Sequence, residues 1–189
     1  MGGIDWIQLR LKNVSYDEYR TIAKEVQAVC RKYNATFIIN DNIQLALEVD
    51  ADGVHVGESD PLPKEEREAM LNKGGIIGCT ANSIDDFIHL TGKPVSYIGL
   101  GPFRFTTTKQ NLKPILGIEG YSRIFREIKE HGLQAPPVIG IGGIIESDVA
   151  ELLATGLHGI AVSGAISNAE DITDAARKFK EAIKYQFQQ

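Results

Sequence analysis

What this chain has little of narrows it first. Two cysteines, Cys30 and Cys79, stand among 189 residues, and neither has His or Cys companions at zinc-site spacing. Both fall inside predicted regular elements, so buried thiols in a reducing, cytoplasmic setting are expected. No apolar run approaches the ~20 residues that a membrane-spanning helix needs, and no signal peptide opens the chain. No membrane partner is therefore expected. Basic residues are the minority, with 20 Lys and Arg against 25 Asp and Glu, for a net charge of −5. That balance argues against a general nucleic-acid binder. No Gly-x-Gly-x-x-Gly follows the first strand, which counts against a dinucleotide fold. No Ser-His-Asp or Cys-His pairing falls at strand ends. His55, His89, His131 and His158 read as structural.

What remains is a strict alternation. The hydrophobic content of 43% and the length suit one domain, residues 1–189, with a sizeable core. Strands are predicted at 6–9, 36–39, 53–56, 76–79, 95–100, 138–141 and 160–162. Helices are predicted at 16–33, 42–49, 63–71, 83–90, 117–131 and 171–187, with a further one begun by Ser147 or Asp148 and stopped by Gly156. The 16–33 helix carries Ile22, Ala23, Val26, Val29 and Cys30 on one face. The 42–49 helix turns Ile43, Ala46 and Leu47 inward, and the last helix Ile172, Ala176, Phe179 and Ile183. Seven short, buried-type strands, each followed by a helix, imply an α/β fold with a parallel sheet. The count suggests a TIM (β/α)₈ barrel with only seven units evident. A doubly wound open sheet is the alternative.

In a barrel, chemistry sits at the carboxyl ends of the strands. Those positions read Gln8, Arg10 and Lys12, then Asn40 and Asp41, Glu58 and Asp60, Thr80 and Asn82, Thr106 to Lys109, Gly142-Gly143 and Ser163-Gly164. Gln8, Arg10 and Lys12 alternate, so one face of an extended segment carries all three, and the two cations suit phosphate oxygens. Asp41 and Asp60 end consecutive strands and together suit Mg²⁺, which takes oxygen ligands while bridging phosphates. The competing reading makes each a helix cap, Asp41 for the 42–49 helix and Asp60 for the 63–71 helix. The two glycine-bearing strand ends in tandem form a nest of N–H groups for a second phosphate, or else serve close packing. The loop 101–116 is long for a βα connection; its Gly-Pro start and two aromatics suggest a packed lid carrying Thr106, Thr107, Thr108 and Lys109.

These segments resemble the thiamine phosphate synthase family. The likeness rests on Gln8-Leu9-Arg10-Leu11-Lys12, Ile39-Asn40-Asp41, residues 51–57 with Asp60, Ile77-Gly78-Cys79-Thr80-Ala81, Gly99-Leu100-Gly101-Pro102 with Thr106-Thr107-Thr108-Lys109, and Ile141-Gly142-Gly143-Ile144. The resemblance implies a (β/α)₈ barrel and a transferase of thiamine biosynthesis, joining hydroxymethylpyrimidine diphosphate to hydroxyethylthiazole phosphate with release of diphosphate. It implies that Gln8, Arg10, Lys12, Asn40 and Lys109 bind the pyrimidine diphosphate and that Asp41 and Asp60 hold Mg²⁺. Thr80 would stand near the pyrimidine. Thr106 and Thr108 would contact the thiazole phosphate, with Gly143, Ser163 and Gly164 completing that site. Lys109, Arg10, Asp41 and Asp60 would carry catalysis. Other readings within reach are a thiazole tautomerase-like isomerase, which has no need of the diphosphate-binding set, and a phosphate-binding module without activity.

Three departures from the family pattern stand out. Glu58 replaces a Gln, and the last strand ends Ser163-Gly164-Ala165 rather than Val-Ser-Ala. The chain also starts at what would be the family's second strand. With seven strands, the first and last should each keep a free side, and either self-association as a homo-oligomer across that gap or a marginally stable, weakly active protein is expected.

Overall fold

The computed structural model describes residues 2–57, 62–107 and 113–186. Two compact units emerge from it, one made of residues 4–79 with 94–96, the other of residues 1–3, 80–93 and 97–189. Among the described residues seven strands follow chain order, β1-β2-β3-β4-β5-β6-β7. They are β1 (Trp6–Leu9), β2 (Thr36–Asn40), β3 (Gly53–Val56), β4 (Ile76–Ala81), β5 (Tyr97–Leu100), β6 (Val138–Ile141) and β7 (Gly159–Ala161). Pairing is parallel from β1 through β4 and again from β5 through β7.

In the first unit, β1 pairs with β2 from Trp6 opposite Thr36 to Leu9 opposite Ile39. Phe37, Ile38 and Ile39 are fully buried, as are Val54 of β3 and Ile77 of β4. Gly53 is required where β3 meets β4, because a Cβ there would lie 2.3 Å from the Ile76 carbonyl oxygen. Helix α1 (Tyr16–Tyr33) opens with Ser15 accepting from the Glu18 amide at 3.2 Å and closes with Asn34 at φ 53°. Asp17 and Glu18 lie in its first turn and Arg31 and Lys32 in its last, both matched to the helix dipole. Its inward stripe is Tyr19, Ala23, Gln27 and Cys30. Val29 falls one position off that stripe and is 56% exposed, against the expectation of a core role. In α2 (Ile43–Glu48), Leu45 is fully buried alongside Ile43 and Ala46, whereas Leu47 is half-buried. Helix α3 (Lys64–Asn72) closes the unit with Met70 buried.

The second unit contains α4 (Ile84–Leu90), α5 (Gly117–Glu130), a 3₁₀ turn (Glu146–Asp148), α6 (Val149–Ala154), α7 (Gly164–Ser167) and α8 (Ile172–Gln186). Helix α4 starts with a capping box: Ser83 accepts from the Asp86 amide, and Asp86 accepts from the Ser83 amide. Helix α5 buries Tyr121, Ile124 and Ile128. Helix α8 buries Ala176 and Phe179; Ile172, its first residue, lies outside that packing and is 55% exposed. Helix α7 was not expected. Both the Ile166 and Ser167 amides donate to the Ser163 carbonyl at 2.9 Å, and this closes a single turn straight after the glycine-bearing strand end. The strands at the two ends of the order, β1 and β7, each have one strand neighbour, β2 and β6 respectively.

Tyr121 joins helix to strands. Its hydroxyl donates to the Leu100 carbonyl at 2.6 Å, and burial holds the phenol far above its ordinary pKa. Tyr121→Phe should therefore cost about 1–3 kcal/mol, the usual penalty for a buried carbonyl deprived of its donor. Urea unfolding of the two proteins measures this; a loss below about 0.5 kcal/mol would mean that the hydroxyl is not holding Leu100.

Candidate active site

In the first unit, the strand ends expected to hold a diphosphate are wired to one another. Gln8 Nε2 donates to Asn40 Oδ1 at 2.7 Å, linking the ends of β1 and β2. Beyond them, Lys12 Nζ pairs with Asp41 Oδ2. Beneath both, the Tyr19 hydroxyl donates to the Leu9 carbonyl at 2.8 Å and the Asn40 carbonyl at 3.2 Å. Burial pushes that phenol to about 12; the Asn40 bond pulls it down and the nearby Asp41 charge pushes it up. Tyr19 is thus a fixed donor at neutral pH that pins two strand ends together. Arg10, half-buried, continues the same run from β1.

Asp41 is held in an uncommon backbone state. Its φ is 65°, and its amide donates to the His55 carbonyl at 2.8 Å. Such left-handed residues concentrate where a side chain must be aimed. The expectation that Asp41 caps the following helix is corrected: Asn42 is the cap, and its Oδ1 accepts from the Leu45 amide at 2.9 Å. With capping assigned to Asn42, the Asp41 carboxylate faces Lys12 and remains 28% exposed. Asp60 and Glu58 lie outside the described residues, as do Thr108 and Lys109. Among the described residues no group of three or more His, Cys, Asp or Glu could hold a metal by itself. Asp41 still offers an accessible oxygen donor, which fits Mg²⁺, since that ion uses one or two carboxylates plus water and substrate phosphates.

In the second unit, the segment after β5 lies directly on the turn after β6. The Phe103 and Arg104 amides donate to the Ile141 and Gly142 carbonyls at 2.8 and 2.9 Å. Asn82 fixes the root of the loop, donating to the Gly101 carbonyl at 2.7 Å and the Pro114 carbonyl at 3.0 Å. Gly142 and Gly143 both take positive φ, 93° and 70°. A Cβ on Gly142 would meet Pro102 at 2.7 Å, and one on Gly143 would meet the Phe105 carbonyl oxygen at 2.8 Å. Close packing of the loop therefore demands these glycines. Among the described residues neither the Gly143 nor the Ile144 amide donates to another protein group. Of the loop's two aromatics Phe103 is packed, while Phe105 is 66% exposed. Thr106 follows, half-buried; Thr80 is half-buried in the last turn of β4, and Ser163 and Gly164 open α7.

Sequence reasoning missed Arg104 and the use made of Asp148. Arg104 grips Asp148 with two bonds of 2.9 Å, Nη1 to Oδ2 and Nη2 to Oδ1, and Nη1 also donates to the Gly143 carbonyl at 2.8 Å. The sequence offers Asp148 as a side-chain cap of the following helix; it stands at the N-cap position of α6 but makes no capping bond there, and its Oδ2 instead accepts from the Ile145 amide at 2.9 Å. Partial burial raises its pKa, but the Arg104 fork and the Ile145 amide outweigh that, so the carboxyl titrates below the usual aspartate range. A cavity of about 430 Å³ lies at the opposite, amino-terminal ends of β2 to β4. Of its charged groups, Arg31 and Lys73 both pair with Asp50, and Asp52 accepts from the Phe37 amide. It takes no part in the site described above.

Parallel βα units that carry their polar residues at the carboxyl ends of the strands define a protein of the TIM-barrel class. Thiamine phosphate pyrophosphorylase from Pyrococcus furiosus has this fold, superposing with a TM-score of 0.83 at 32% identity over 98% of this chain and 85% of that one. The thiamine monophosphate synthase family model matches residues 1–166. The thiamine-phosphate synthase of Flavobacterium johnsoniae is 46% identical over 169 residues, 89% of this chain and 79% of that protein. That of Bacteroides thetaiotaomicron is 41% identical over 177 residues, 94% of this chain and 84% of that protein. The chain belongs to the thiamine monophosphate synthase family. Its fold is the α/β, TIM-type fold of those enzymes, with seven βα units present here.

The Arg104–Asp148 pair makes stability pH-dependent in a defined direction. Asp148 has a folded pKa below its unfolded value, so its contribution is full above the unfolded pKa, about 3.9, and is lost as pH falls through the folded value. Asp148→Asn should be less stable than the parent at neutral pH, and the gap should narrow on acidification to about pH 2. Melting curves of both proteins across that range test it; a gap independent of pH would show that the charge is not what stabilises.

Proposed function

We propose that this chain joins hydroxymethylpyrimidine diphosphate to hydroxyethylthiazole phosphate, giving thiamine phosphate and diphosphate. It is a transferase of thiamine biosynthesis, as its family membership indicates. The observation that supports these substrates most strongly is the paired wiring of Gln8 to Asn40 and of Lys12 to Asp41 at adjacent strand ends. That arrangement presents amide and ammonium donors together at a point where a diphosphate can lie. Arg10, and Lys109 from the loop, add charge-assisted donors.

The reaction asks little of acid–base groups. The bond from the pyrimidine methylene carbon to the bridging diphosphate oxygen breaks, its electron pair leaving with the diphosphate. The thiazole nitrogen lone pair then forms the new bond to that carbon. Negative charge builds on the departing oxygens, so Arg10, Lys12 and Lys109 act by stabilising it in place. Gln8 and Asn40 orient the pyrimidine diphosphate, and Thr80 lines the pyrimidine side. Thr106, Thr108, Gly143, Ser163 and Gly164 receive the thiazole phosphate. Asp41 and Asp60 would hold Mg²⁺, which when bound supplies positive charge to the diphosphate oxygens. We place the enzyme in the cytoplasm, which suits its two buried cysteines, Cys30 and Cys79, neither of them in a disulfide; among the described residues no helix is long and apolar enough to cross a membrane. Self-association through the open sides of β1 and β7 belongs to the same reading.

Mixing both substrates with Mg²⁺ and the chain should yield thiamine phosphate and diphosphate in equal amounts; neither product appearing would refute the assignment. Chelation should abolish turnover. Asp41→Asn keeps a residue that tolerates positive φ while removing the charge, so it should fold normally yet need much more Mg²⁺ for half-maximal rate. An unchanged Mg²⁺ response would remove Asp41 from the metal site. Lys109→Ala should lower kcat by about 10²-fold or more, as loss of one donor to developing charge does elsewhere. Its stability should stay within about 0.5 kcal/mol of the parent. Unchanged kcat and KM would exclude Lys109 from the chemistry.

A further inference from the structure

We propose that Arg104 is a positioning residue that aims the Gly143 and Ile144 amides at the phosphate of the thiazole substrate without touching it. The identity of that ligand rests on the thiamine-phosphate synthase reading above. Arg104 and its partner Asp148 engage three polar groups of the turn. The Gly142 carbonyl accepts from the Arg104 amide at 2.9 Å, and the Gly143 carbonyl accepts from the Arg104 guanidinium at 2.8 Å. The Ile145 amide donates to Asp148, the carboxylate that Arg104 grips with its fork. Among the described residues this leaves the Gly143 and Ile144 amides without a protein acceptor.

The direction of those amides follows from peptide geometry. In a planar trans peptide the carbonyl and the next N–H point opposite ways. Drawing the Gly143 oxygen toward Arg104 therefore turns the Ile144 N–H away from it. A cationic donor on the carbonyl also polarises the same peptide, which strengthens its N–H as a donor. Arg104 is itself immobilised from three sides. Its guanidinium lies 4.9 Å from the Phe103 ring centre, and Phe103 packs edge-on against Tyr121 at 6.1 Å. Asp148, its carboxylate partner, is 12% exposed. Thr106 lies two residues further along the same loop, so one side chain sets both the turn and the approach of a hydroxyl. Lysine cannot replace it, because a single ammonium cannot make the bidentate fork and reach Gly143 in the same plane.

Two variants and two readouts test this. Arg104→Lys retains the charge and most of the packing on Phe103; Arg104→Ala removes both. In steady-state kinetics, both should raise KM for hydroxyethylthiazole phosphate at least tenfold while leaving KM for the pyrimidine diphosphate within twofold. Arg104→Lys should do so with a melting temperature near the parent's, which separates aiming from stability and keeps the test valid if Arg104→Ala fails to fold. Calorimetric titration with inorganic phosphate, which needs no turnover, should show binding to the parent and a loss of at least tenfold in Arg104→Lys. A parent that binds phosphate but makes no thiamine phosphate would refute the substrate reading and leave the role of Arg104 standing. Equal phosphate affinity in parent and Arg104→Lys, no phosphate binding by the parent, or a parallel rise in both KM values would overturn the role itself.

Discussion

A parallel strand ladder has one consequence on which everything else here depends: strands that run the same way end at the same edge. Within the first unit this brings the ends of β1 and β2 close enough for Gln8 to bond Asn40 and for Lys12 to meet Asp41. Within the second it lays the segment after β5 on the turn after β6. Residues far apart in sequence, 32 positions for Gln8 and Asn40 and 44 for Arg104 and Asp148, become neighbours with no element devoted to the purpose. The buried runs of Val, Ile and Phe that stabilise β2 and β3 are thus also what gathers the polar groups.

The two units solve the problem of fixing those groups differently. In the first, side chains do it: Tyr19 pins two strand-end carbonyls from below, and Asn42 takes over helix capping so that Asp41 can face Lys12. In the second, backbone does it, with glycines at positive φ lying under Pro102 and Phe105 and Arg104 Nη1 donating to the Gly143 carbonyl. The first arrangement presents charge and the second presents amide N–H groups. That division suits a reaction in which one phosphorylated group must leave and the other need only be held.

Much of this was legible in the sequence. Apolar periodicity and turn residues located β1, α1, β3 and β6 at their observed limits; β3, buried throughout, reads as a short apolar run, whereas β1 keeps Trp6 and Gln8 exposed. The strand-end residues Gln8, Asn40, Asp41 and Gly143 could be picked out because position along a βα unit alone places them. What stayed hidden depended on tertiary neighbours. Val29 matches the helical period of α1, yet the stripe that packs runs through Gln27 instead, and nothing local distinguishes the two. Whether Asp41 or Asn42 caps α2 is a matter of backbone dihedrals, which side-chain type leaves open. Nothing local marks Arg104, because its partner stands 44 residues later.

The central claim is that Gln8, Arg10, Lys12 and Asn40 bind the diphosphate and that Gly143, Ser163 and Gly164 bind the thiazole phosphate. Amide ¹H–¹⁵N NMR with each substrate added alone tests it most directly. The pyrimidine diphosphate with Mg²⁺ should shift the amides of residues 8–12 and 40–42. Hydroxyethylthiazole phosphate should shift those of 104–106, 143–145 and 163–165. Both ligands perturbing one and the same set, or the thiazole phosphate leaving Gly143 and Ile144 unmoved, would contradict the account.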